Sequence, residues 1–148
     1  MYTFVLILHN LLRWLVVVGA VYLLARVLPG LRGDRAWTRQ EGRAAQIFTG
    51  LMDVQLLVGL ALYLGVSPYM KSILDNFGAA MKGSETRFFA VEHVTGMLIS
   101  VALAHAGNVL WKRQTTDAGK FRSAAIWFGL SVLSLLAFIP WWRPLLRL

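Results

Sequence analysis

A chain of 148 residues that is 57% hydrophobic and 15% charged, with a mean hydropathy of +0.60, is too apolar for a water-soluble globular domain, in which roughly a quarter of residues are charged. Lys plus Arg number 15 against 7 Asp plus Glu, a formal charge of +8, but the basic residues stand between long apolar runs, which points to membrane topology and away from nucleic acid. The absence of cysteine excludes disulfides, thiolate catalysis, iron–sulfur ligation and covalent thioether attachment of haem.

A membrane-spanning helix needs about 20 mainly apolar residues. The length suits one domain, and four segments of it qualify. The first covers residues 3–28 and stops at Pro29-Gly30. It is too long, and lacks the preceding basic stretch, to read as a cleavable signal peptide. The second covers 44–66 and stops at Ser67-Pro68. The third covers 86–111. The fourth covers 121–139 and stops at Pro140. No stretch alternates polar and apolar residues for long enough to make a membrane β-barrel. The expected fold is therefore all-α: an integral membrane four-helix bundle occupying residues 1–148.

Between the second and third spans, Ser67-Pro68 reads as an N-cap followed by Pro at the first helical position. Met70, Ile73, Leu74, Phe77 and Met81 then recur at helical spacing. This predicts a short amphipathic helix lying at the interface. It is either a lid over one end of the bundle or a docking surface for a partner or a quinone. Pro140-Trp141-Trp142-Arg143 reads as an aromatic anchor at the same surface.

The basic residues assign the sides. The first and third loops carry nine, from Arg26 to Arg43 and from Lys112 to Arg122. The second loop and the C-terminus carry five: Lys71, Lys82, Arg87, Arg143 and Arg147. The positive-inside rule places loops one and three in the cytoplasm and both termini outside, as in a multi-pass protein of a bacterial inner membrane.

Ionisable residues inside spans are costly and mark function by default. They are His9 and Arg13 in the first span, Asp53 in the second, and Glu92, His93 and His105 in the third, with Gln55 as a further polar residue. His9 and His93 lie at nearly the same depth, on helices that run in the same direction and stand diagonally across a sequentially connected bundle. Two imidazoles approaching from opposite sides are what a six-coordinate haem iron requires, and haem held by side chains without cysteine is haem b. Gly96, one turn after His93, and Gly59, at similar depth on the second span, would leave room for a flat macrocycle, or they serve ordinary close packing. Arg13 would pair with a haem propionate, or be neutralised by Glu92. Arg87 is another propionate candidate. Trp14 reads as packing.

His105 follows His93 by 12 residues, about 18 Å of rise and roughly 120° of rotation, which disfavours a second haem stacked on the first. A His105–Asp53 pair is expected, structural or in proton uptake. Ligation of a second haem by Met52 and His105 is the alternative, and His105 also stands as an alternative iron ligand. Glu92, Asp53 and His105 are the proton-handling candidates.

The strings LHNLLRW (8–14), RFFAVEH (87–93), LAHAG (103–107) and FIPW (138–141) resemble the small four-helix membrane proteins labelled as cytochromes b in Bacteroidetes and relatives. The resemblance covers almost the whole chain, with His9, His93 and His105 as the matching histidines. It implies haem b and electron transfer. A weaker architectural likeness links the chain to four-helix bacterial protoporphyrinogen oxidases and to the copper-resistance membrane family. The polar fourth-helix motif of those oxidases is absent. The expected function is a b-type cytochrome passing electrons between quinol and an extracytoplasmic acceptor, or within a respiratory assembly. The alternatives are a haem-dependent oxidase of a porphyrin or quinone, and a non-redox accessory subunit.

Overall fold

The computed structural model describes residues 1–143, so Arg147 lies outside the described residues. Its elements are α1 (Tyr2–Val27), α2 (Arg39–Ala61), α3 (Pro68–Asp75), α4 (Phe77–Ala80), α5 (Ser84–Arg87), α6 (His93–Leu110) and α7 (Asp117–Phe138), with no strand among the described residues. Short 3₁₀ and π turns extend them into four helices long and apolar enough to cross a membrane: Tyr2–Arg32, Arg39–Val66, Ser84–Arg113 and Asp117–Phe138. Each long helix packs on its chain neighbours, and α1 closes the ring on α7. α1 and α6 therefore stand diagonally across an up-down-up-down bundle.

The ends of these helices follow from local chemistry. The chain passes Pro29-Gly30 as a 3₁₀ turn, because the fixed φ of Pro29 suits a first turn. It stops only at Gly33, whose φ of +86° needs glycine. α2 begins five residues before the expected apolar run, because Thr38 and Glu41 form a capping box around its first turn. Ser67 caps α3 as expected: its hydroxyl accepts from the Met70 N–H at 3.2 Å. The predicted single amphipathic helix is two short ones. Asn76 leaves helical geometry at φ −127° and ψ +50°, so Met70 and Ile73 are buried while Leu74 and Phe77 stay exposed.

The dry core fills the half of the bundle nearest the Arg-rich loops. Phe48, Phe121 and Phe128 are fully buried there with Leu23, Val27 and Ala104. Glycine makes this packing possible: a Cβ on Gly30 would overlap the Phe121 ring, and one on Gly107 would come within 3.1 Å of Phe128. α6 and α7 are locked by a reciprocal pair. The Ser100 hydroxyl donates to the Ser131 carbonyl at 2.7 Å, and the Ser131 hydroxyl to the Ser100 carbonyl at 2.8 Å. A buried hydrogen bond of this kind contributes about 0.5–1.5 kcal/mol. At the Arg-rich end, Glu41 is fully buried and meets Arg26 at 2.5 Å, with Arg35 at 3.7 Å. The opposite half of the bundle, under α3 and α4, holds the cleft described next.

Candidate functional site

The cleft opens between the four long helices at the α3–α4 end and encloses about 180 Å³, more than the ~150 Å³ of an engineered cavity that binds benzene. Helical periodicity aims three series of side chains into it. α1 contributes His9, Asn10 and Arg13. α2 contributes Met52, Gln55 and Gly59. The third long helix contributes Phe89, His93 and Met97. Leu135 and Ile139 supply the apolar wall from the fourth.

His9 and His93 meet in this cleft. Their ring centres are 6.5 Å apart, with the planes inclined by 76°. His93 is oriented by the end of α7. Pro140 disfavours helical geometry at Ile139, which turns extended at ψ +129°, and the Phe138 carbonyl at that helix end is left without its usual helical partner. His93 Nδ1 donates to this carbonyl at 2.7 Å. A carbonyl only accepts, so Nδ1 carries the proton and Nε2 the lone pair. Metal-ligating histidines show this same arrangement. Phe88 and Phe89 flank the ring at 5.8 and 6.1 Å.

On the other side, Gln55 Nε2 donates to the His9 carbonyl at 3.1 Å and lies 3.4 Å from the ring's Nε2. That contact makes His9 Nε2 an acceptor as well. His9 Nδ1 is buried without a hydrogen-bond partner. The ring lies against Gly59, where a Cβ would come within 3.1 Å of His9 Cε1. Gly59 thus makes room for the imidazole itself.

Two π turns shape this end. Leu62–Val66 closes the second long helix and Phe88–Glu92 leads into α6. Wide π turns leave the regular hydrogen-bond ladder and recur at functional sites. Here they are joined: Tyr63 in one donates to the Ala90 carbonyl in the other at 2.7 Å. Arg143 closes the outer end, bonded to Glu85 at 2.5 Å and stacked over Phe89 at 4.7 Å.

Several expected roles fall elsewhere. The space beside Gly96 is taken by the Phe138 ring, which a Cβ would overlap, so Gly96 serves helix packing. Glu92 bonds to Arg87 at 2.8 Å, and both are exposed at the bundle's edge outside the cleft. Arg13 is buried in the cleft wall, with its guanidinium 5.7 Å from the Trp14 ring. His105 Nε2 and Asp53 Oδ1 pair at 2.8 Å on the outer surface of α2 and α6. Met52 is buried and lines the cleft, whereas His105 is exposed and engaged with Asp53.

Sequence reading missed Tyr63 and Arg143 as site residues. Only their polarity at the ends of spans signals them, since their contacts are made through the π turns and the chain reversal after Pro140. Among the described residues no group of three or more His, Asp or Glu converges to hold a bare metal ion. In the cleft, His93 Nε2 is left with its lone pair and His9 Nε2 meets the Gln55 amide. Compared with protein-family models, curated proteins and solved structures, the chain matches none.

Proposed function

We propose that the chain is an integral membrane b-type cytochrome that holds one haem b between His9 and His93. The observation that supports this reading is the pair of imidazoles brought together in the cleft. Their ring centres lie 6.5 Å apart in the cleft, and His9 and His93 would be the two residues that hold the iron. The His93 tautomer, fixed by Phe138, and the His9 Nε2, now met only by the Gln55 amide, offer the two lone pairs. When bound, haem b supplies a one-electron ferric–ferrous couple.

The remaining residues hold and tune the group. Arg13 in the wall and Arg143 at the mouth supply positive charge for propionates. Leu135 and Ile139 exclude water, and low polarity around the iron raises the weight of each nearby charge in setting its potential. The enclosed space of about 180 Å³ is smaller than a tetrapyrrole, so the cleft would have to widen to hold one. Met52 and Met97 line it, and methionine side chains repack with little penalty. The direct check is optical: reduced purified protein shows a low-spin b-type spectrum, and a spectrum without a Soret band contradicts the proposal.

The exposed mid-helix residues Val18, Val21, Leu57 and Leu133 support insertion in a membrane. The nine-to-five split of basic residues orients both termini outward in a bacterial inner membrane. The haem site then lies near the outer face, suited to electron exchange between quinol and an extracytoplasmic acceptor or within a respiratory assembly. A reporter fused to the C-terminus is expected to be active outside the cytoplasm. Activity only in the cytoplasm reverses the sidedness and moves the site to the inner face.

A further inference from the structure

The His105–Asp53 pair has no part in the cleft. Asp53 stands 14 residues after Arg39 and 13 before Val66, the middle of its span. His105, 21 residues after Ser84 and 8 before Arg113 on its own span, meets it at 2.8 Å inside both spans, yet the side chains of His105 and Asp53 are 55% and 42% exposed. An Asp inside a span almost always faces a bundle interior or a water-filled cavity, because hydrocarbon solvates even a paired charge poorly. The outer faces of α1 and α7 obey that rule with Val18, Val21, Leu130 and Leu133. The pair on α2 and α6 breaks it.

We infer that this face is where a second copy of the chain docks, with His105 and Asp53 of each copy covering those of the other. Charge complementarity selects a second copy as the occupant. A two-fold axis along the membrane normal keeps both residues at equal depth, so the acid of one copy comes to the histidine of its mate, and the contact is self-complementary. The surroundings permit close approach. Gly50, one turn from Asp53, has open space where a Cβ would stand, and Ala102, one turn from His105, is exposed. Small residues beside polar ones form the contact surfaces of membrane helices. This inference rests on membrane insertion, not on the haem.

The chain has no cysteine, so single cysteines report contacts without background. Gly50→Cys in native membranes, treated with a short bis-maleimide, is expected to give a band at twice the 16.6 kDa chain mass, while Leu133→Cys on α7 gives none. Asp53→Leu with His105→Leu in the Gly50→Cys background removes the band. The exchanged pair Asp53→His with His105→Asp keeps it. Helical circular dichroism of each purified variant reports folding, and retention in carbonate-washed membranes tests insertion separately. A monomer-only pattern in folded, inserted Gly50→Cys protein overturns the inference. So does an adduct of another mass, or a band that survives the double leucine variant.

Discussion

His9→Ala or His93→Ala is expected to abolish the low-spin spectrum of the proposed haem-loaded protein or convert it to high spin, whereas His105→Ala is expected to leave it largely intact. Each cleft histidine offers one Nε2 lone pair and no other histidine reaches the cleft, so under the proposed ligation loss of either would leave the iron one strong protein ligand short. The two variants differ in what else they disturb. His93→Ala also strands the Phe138 carbonyl at the end of α7, which His93 satisfies at 2.7 Å, and an unsatisfied buried acceptor costs about 1–3 kcal/mol. His9→Ala leaves a void beside Gly59, and imidazole added to that variant is expected to restore part of the low-spin signal. His105 is on the outer face with Asp53, so its removal does not touch the ligands. Loss of haem from His105→Ala with retention in His9→Ala places the site elsewhere.

Glu41→Ala is the substitution expected to destabilise the fold most. Glu41 is fully buried, bonded to Arg26 at 2.5 Å, and accepts from the Thr38 backbone N–H at 2.9 Å. Removing one member of a buried ion pair costs about 3–5 kcal/mol. Arg26 is partly exposed, which favours the lower end, and loss of the capping box adds about 1 kcal/mol. Glu41→Gln keeps an acceptor for Thr38 and is expected to lose less than half as much. Unfolding in mixed micelles measures both. Equal stability of Glu41→Ala and the parent protein contradicts the role assigned to this pair.

The parts of this molecule that were legible in the sequence are those governed by period and depth. Four apolar runs of spanning length mark the long helices. The equal depth of His9 and His93 on parallel helices anticipates their meeting, and the helix-two and helix-three register anticipates the His105–Asp53 pair. Contacts made by irregular backbone were not legible. Capping by Thr38 and Glu41 extends α2 beyond its apolar run, because a polar first turn is stabilised by hydrogen bonds and not by burial. The break at Asn76 splits the interfacial helix despite continuous apolar spacing. The π turns shift residues 88–92 off the 3.6-residue period, which carries Glu92 outward to Arg87 and lets Tyr63 reach Ala90. Which of its two readings holds for Gly96 was not legible for a similar reason: glycine signals space, but the partner that fills it, here Phe138, comes from another helix.

The central claim is one haem b per chain, held by two histidines. A pyridine haemochrome assay on the purified protein, set against its chain concentration, tests it most directly. The account predicts one haem b for each polypeptide and the absorption maxima of a protohaem. No haem, or two per chain, contradicts it: the first leaves His9 and His93 without an iron, and the second requires a ligand pair beyond these two histidines.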